Sequence, residues 1–158
     1  MKVGRVTASD RAAAGIYEDL SGPAIEQALA AILPGVHTFV ARLVADDTDI
    51  LAATLAELAD VERCELIITT GGTGPTPRDV TPEATRRVLE KELPGFGEIM
   101  RMKSFAIAPT AILSRATAGI RGTSLIVNLP GSPKAVRECL EILAPAILEG
   151  TRHLRGES

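Results

Sequence analysis

The chain has 158 residues and a mass of 16.6 kDa, enough for one compact domain and little more. Hydrophobic residues at 46%, charged residues at 23% and a mean hydropathy of +0.19 exclude a disordered or low-complexity chain. Aromatics at 3% exclude a base-stacking platform, and a net charge of -3 with a pI near 5.4 argues against a nucleic-acid binder, whose affinity comes from bases that neutralise phosphates.

In chain order, Lys2 to Ala8 reads as a strand. Ser21-Gly22-Pro23 opens a helix with Ile25, Leu29 and Ile32 on one face, and Pro34-Gly35 stops it. Val36 to Val44 is a second strand, after which Asp47 or Thr48 caps a helix striped by Leu51, Leu55 and Leu58. Cys64 to Thr70 is a continuous apolar run of the kind buried on both faces of a parallel sheet. Thr81-Pro82-Glu83 predicts a helix to about Lys91 with Thr81 as its cap. A further helix is expected over Phe96 to Phe105, and a short irregular strand or hairpin arm over Ile112 to Ile120. Ser124 to Asn128 is the last strand, and the helix after it should kink or restart at Pro145. Strands alternating with helices predict a single α/β domain over residues 1–154, a mostly parallel sheet with helices on both faces, and a frayed end over 155–158.

Charge is segregated along this order. Residues 42–65 hold seven acids against Arg42 and Arg63, whereas residues 99–137 hold six bases and no acid. The two segments either pair as solvated faces or form a cation site beside an anion site. Cys64 and Cys139 lack any metal-ligand spacing and read as core thiols, and His37 and His153 are too far apart to suggest a triad. The amino terminus lacks the apolar run of a signal peptide and no stretch is long enough to span a membrane, so a soluble cytoplasmic protein is expected.

In a parallel sheet, ligands bind beyond the carboxyl ends of the strands. The chain places its unusual residues there: Ser9-Asp10 after the first strand, Asp46-Asp47 after the second, Gly71 to Asp79 after the third and Pro130 to Lys134 after the last. The glycines at 71, 72 and 74 let backbone N–H groups approach a phosphate, although the loop is neither a Walker loop nor a dinucleotide fingerprint. Asp46 and Asp79 end neighbouring loops, and Mg²⁺ is typically held by one or two carboxylates together with substrate phosphates. Each could instead serve the helix that follows it.

With these loops in view, the chain resembles the molybdopterin adenylyltransferases of molybdenum-cofactor biosynthesis, the family that includes the gephyrin G domain. The resemblance runs through VTASDRAAAGIYED, LVADD, IITTGGTGPTPRDVTPEAT, LPGFGEIMR, ILSRATAGIRG and LIVNLPGSPKAV. It implies transfer of AMP from Mg-ATP to the terminal phosphate of molybdopterin with release of pyrophosphate. It places the two catalytic, metal-holding aspartates at Asp46 and Asp79. The nucleotide and pterin loops fall on Ser9 and Asp10, on Gly71, Gly72, Thr73, Gly74 and Arg78, on Ser114 and Arg115, and on Pro130, Gly131, Ser132 and Lys134. The intact RDVTPE string favours the active branch of the family over pterin-binding sisters. Phe105 to Ile120 is more apolar than a solvent-facing stretch should be and reads either as a covered edge of the monomer's own sheet or as a subunit interface. The resemblance implies a homotrimer and so favours the interface, and a molybdate-inserting enzyme is the expected transient partner. The alternatives are a non-catalytic molybdopterin carrier or scaffold of the same fold and, without support from any motif, an amidase or pyrophosphatase acting on nicotinamide nucleotides.

Overall fold

In a computed structural model that describes residues 1–157, four parallel strands form the centre of the molecule. β1 (Lys2–Ala8), β2 (Thr38–Val44), β3 (Leu66–Thr70) and β6 (Ser124–Leu129) pair in parallel in the order β2-β1-β3-β6. β5 (Ala118–Arg121) and β4 (Lys91–Glu92) then extend the sheet antiparallel, giving six strands in the order β2-β1-β3-β6-β5-β4. β3 and β6 are buried along their whole length.

Period-two alternation sorts the strand residues onto two cores. Val3, Leu66, Ile68, Leu125 and Val127 pack with α2 (Ser21–Ile32), α5 (Gly95–Phe105) and α6 (Pro133–Leu154). Val6, Ile67 and Ile126 pack with α3 (Thr48–Asp60) and α4 (Thr81–Val88) on the opposite face. The helices therefore lie on both faces, as the alternation of elements predicts. One buried polar group crosses this plan: Asn128 donates from Nδ2 to Thr69 Oγ1 at 3.0 Å and to Thr85 Oγ1 at 2.9 Å, and its Oδ1 accepts from the Thr117 N–H at 3.3 Å.

Several elements differ from the sequence reading. A four-residue helix, α1 (Asp10–Ala13), follows β1, with the Ser9 side chain accepting from the Ala12 N–H. Thr81 is the first residue of α4 and not its cap: its hydroxyl donates to the Gly71 carbonyl at 2.9 Å, and Val80 stands in the cap position. α4 ends at Val88 because Leu89 turns extended, and Lys91–Glu92 leaves helical geometry to pair with β5. Residues 109–113 form a 3₁₀ turn, so the arm expected from Ile112 begins as a strand only at Ala118. α6 runs through Pro145 without restarting, with Pro145 and Glu141, four residues before it, both on the exposed side of the helix. Beyond α6, Arg155 donates to Glu65 Oε2 and to Glu157 Oε1, both at 2.8 Å. Ser158, the last residue of the end expected to fray, lies outside the described residues.

Candidate active site at the carboxyl edge of the sheet

The glycine turn is fixed by its neighbours before any ligand is considered. Gly71 and Gly72 have φ of +90° and +66°, the left-handed region. A Cβ on Gly71 would strike the Ala8 carbonyl, and one on Gly72 would strike the Thr81 hydroxyl and stand 3.2 Å from Asp46 Oδ1. Thr81 closes the turn from the other side, its N–H donating to the Gly72 carbonyl at 3.0 Å. A Cβ on Gly74 would lie 2.9 Å from Asp79 Oδ2. One loop therefore touches both aspartates, and only glycine leaves room for them.

Each carboxylate has one oxygen committed to the protein. Asp46 Oδ2 accepts from the Asp10 N–H at 3.0 Å, while Oδ1 is buried without a hydrogen-bond partner. Asp79 Oδ2 accepts from the Thr76 N–H at 2.9 Å and from the Thr76 hydroxyl at 2.6 Å. Asp47 caps α3 by accepting from the Ile50 N–H at 2.9 Å, which leaves Asp46 free of that duty. Burial, and then the charge of Asp79, raise the Asp46 carboxyl above the ordinary aspartate range. A buried carboxylate with an orphaned oxygen, Asp46, beside a second carboxylate, Asp79, is a donor set suited to a small hard cation. Among the described residues no group of three or more His, Cys, Asp or Glu side chains gathers as a metal site, so a cation here would rest on this pair of carboxylates together with substrate phosphates.

The other loops converge on the same edge. The Thr70 hydroxyl donates to the Pro130 carbonyl at 2.7 Å and the Ser21 hydroxyl to the Gly131 carbonyl at 2.5 Å, so residues 130–131 are pinned against the glycine turn. Ser132 caps α6 by accepting from the Ala135 N–H at 3.1 Å. Lys134 stands in the first turn of α6, exposed, with its ammonium 3.8 Å from Glu138. Ser114 lines a cavity of about 370 Å³ together with Thr73, Gly74 and Pro130 from the loops and Arg101, Ser104 and Cys139 from α5 and α6.

The bases divide into two kinds. Arg78 is mostly exposed and pairs with Asp10. Arg115 is committed: it donates to the Gly74 carbonyl at 2.9 Å and to the Asp79 carbonyl at 2.8 Å, pairs with Glu83, and its own N–H donates to the Thr73 carbonyl at 2.8 Å. Arg121 is bound to Asp60, one of the pairings that the segregated charge allows. Thr76 lies in the Gly71 to Arg78 loop that the sequence marks, whereas Thr81, Glu83 and Arg101 join this neighbourhood without having been singled out as site residues in the sequence. Thr76 carried a signal, since it stands three residues before Asp79, the spacing of a side-chain-closed turn. Arg101 carried none, because its contacts with the Ser114 and Ala116 carbonyls depend on how α5 packs.

The sequence matches the family described as "Probable molybdopterin binding domain" over residues 4–149. The chain belongs to that family. It is 56% identical to the molybdopterin adenylyltransferase of Helicobacter pylori, over 92% of this chain and 82% of that protein. It is 49% identical to the molybdopterin adenylyltransferase of Escherichia coli K12, over 89% of this chain and 72% of that protein. Among solved structures, the molybdopterin biosynthesis enzyme MoaB of Thermus thermophilus superposes with a TM-score of 0.89 at 42% identity, covering 99% of this chain and 97% of that one. The tungsten cofactor synthesizing protein MoaB of Pyrococcus furiosus gives 0.85 at 39% identity, over 98% and 96%. In this family member the α/β sheet and its edge loops are those described above.

Proposed function

We propose that the protein is a molybdopterin adenylyltransferase, moving AMP from Mg-ATP to the terminal phosphate of molybdopterin and releasing pyrophosphate. The observation that carries this reading is the pair Asp46 and Asp79, from two loops, both against the one glycine turn, with Asp46 Oδ1 buried and unpartnered. The names of the relatives support it.

The chemistry asks little covalent work of the protein. A phosphate oxygen of molybdopterin attacks the α-phosphorus of ATP, the new P–O bond forms as the bond to pyrophosphate breaks, and the attacking oxygen is already ionised, so no general base is needed. Mg²⁺ held by Asp46 and Asp79, when bound, supplies charge neutralisation on the phosphates. The Gly71–Gly74 turn offers backbone N–H groups to the phosphates, and Arg78 and Lys134 bring cations. Ser9 and Asp10 shape the Asp46 side of the site. Ser114, with Pro130 to Ser132, borders the cavity, which we assign to the pterin. Arg115 braces the loop by holding the carbonyls of Gly74 and Asp79.

Mixing the protein with molybdopterin and Mg-ATP should release pyrophosphate and yield an adenylylated pterin. Tight molybdopterin binding without pyrophosphate would instead make the protein a carrier that hands the pterin to a molybdate-inserting partner. Use of ATP and two unpaired buried thiols fit the cytoplasm, and among the described residues no helix is long and apolar enough to cross a membrane. We also assign a homotrimer, because Met102, Phe105, Ile107, Ile112 and Leu113 form an exposed apolar surface on α5 and the 3₁₀ turn next to the cavity. Light scattering should give about three times 16.6 kDa, and Ile112→Glu should shift it toward monomer.

A further inference from the structure

Asp10 and Asp46 hold each other by a reciprocal pair of hydrogen bonds. The Asp46 N–H donates to Asp10 Oδ1, and the Asp10 N–H donates to Asp46 Oδ2, each at 3.0 Å. The sheet brings them face to face: Ala8 pairs with Val44 at the end of the parallel β1–β2 ladder, the Ser9 N–H donates to the Val44 carbonyl at 2.9 Å, and each aspartate stands two residues past its strand. Beyond the ladder the chain at Asp46 turns at once, with the Asp47 N–H on the Ala45 carbonyl at 2.8 Å. The Asp46 N–H thus finds its acceptor in a side chain, and that side chain is Asp10.

The clasp decides which oxygen Asp46 presents. With Oδ2 occupied by the Asp10 N–H, Oδ1 is the atom left without a donor. The charge of Asp10 is poorly placed for any contact with a triphosphate, since two anions repel, and its own second oxygen is met by the Arg78 guanidinium from the loop after β3. Asp10 Oδ1 is thus committed to the backbone of Asp46, while Oδ2, buried without a hydrogen-bond partner, has its charge met by the Arg78 guanidinium.

We propose that Asp10 is a positioning residue for adenylyl transfer, one that fixes the Asp46 backbone so that Asp46 Oδ1 is aimed at the metal, and not itself a contact to nucleotide or pterin. The inference rests on the adenylyltransferase reading for its consequence in catalysis, but the clasp can be read without any reaction.

The test compares Asp10→Ala, which removes the acceptor, with Asp10→Asn, which keeps an acceptor oxygen and removes the charge. Three readouts are taken: exchange of the Asp46 amide hydrogen by NMR, binding of Mn²⁺ to the nucleotide-free protein by EPR, and kcat and KM for ATP. In Asp10→Ala the Asp46 amide should exchange about tenfold faster, Mn²⁺ should bind about tenfold more weakly and kcat should fall about tenfold, at a melting temperature close to that of the unmodified protein. Asp10→Asn should recover most of each loss, to within about threefold, without raising the KM for ATP. An Asn variant as impaired as the Ala variant while its Asp46 amide stays protected would overturn the proposal, because the charge of Asp10 would then be acting on the reaction. A raised KM in the Asn variant would overturn it too, by placing Asp10 in nucleotide binding. Loss of melting temperature with kcat and Mn²⁺ binding intact would reduce Asp10 to a structural tie and equally refute it. If the unmodified protein releases no pyrophosphate, the adenylyltransferase reading fails by itself, and amide exchange and Mn²⁺ binding still decide the role of Asp10.

Discussion

The parallel strands and the antiparallel edge serve the site in different ways. β1, β2, β3 and β6 end along one edge, and the loops that follow them carry Asp10, Asp46, the glycine turn, Asp79 and the Pro130 loop. The chain leading into β5 supplies Arg115, which enters the glycine loop from the side and binds protein carbonyls. Charge near a site is thus a poor guide to its use. Arg78 and Lys134, on loops or first turns after parallel strands, keep most of their surface in water, while Arg115 and Arg121 at the antiparallel edge are consumed by Glu83 and Asp60.

The largest expected effect falls on the parallel side. Asp79→Asn should lower AMP transfer by at least about a hundredfold while molybdopterin still binds, because it removes a charged metal ligand and leaves the cavity in place. Turnover at a tenth of normal would refute the assignment. Asp46→Asn should lose turnover likewise, partly recovered by raising Mg²⁺.

On the antiparallel side the expected effect is smaller and of another kind. Arg115→Gln should lower kcat about tenfold and leave the KM for ATP within about threefold, since the loop loses its brace and the phosphates lose no partner. Steady-state kinetics check this, and a large rise in KM at unchanged kcat would move Arg115 among the phosphate ligands. The joint between the two halves should show in stability. Asn128→Ala leaves Thr69, Thr85 and the Thr117 N–H short of partners in a fully buried place, and urea unfolding should report a loss of about 2–3 kcal/mol.

The smallest effect concerns Asp46 and pH. Its folded carboxyl titrates above the unfolded value, so the folded state binds the proton more tightly and Asp46 lowers stability as pH rises through that interval. Asp46→Asn should therefore melt higher than the unmodified protein at pH 7, with the gain vanishing as pH falls below the ordinary aspartate range. An unchanged or lower melting temperature at pH 7 would contradict the unfavourable burial of the Asp46 charge beside that of Asp79.

The same division governs what the sequence discloses. Leu66 to Thr70 and Ser124 to Leu129 are buried on both faces and read as apolar runs, and the caps at Asp47 and Ser132 follow from residue type. The antiparallel edge is legible only as an irregular arm over Ile112 to Ile120, and Lys91 is taken into a helix, because β4 has two residues and β5 four, too few for a period to show. Thr81-Pro82-Glu83 carries a cap signature, yet the Thr81 hydroxyl finds a better acceptor in the glycine turn, a partner that only the folded chain supplies. The loops bearing Asp46 and Asp79 were legible from their place after strands. Which oxygen of Asp46 remains free, and that Arg115 is committed, depend on partners 36, 41 and 32 residues away and had no local trace.

Transfer of label from ATP carrying a radioactive α-phosphate tests the central claim most directly, with molybdopterin as acceptor in the presence of Mg²⁺ or of EDTA. The account predicts labelled, adenylylated pterin with Mg²⁺ and none with EDTA. Unlabelled pterin on a protein that binds both molybdopterin and Mg-ATP would contradict it.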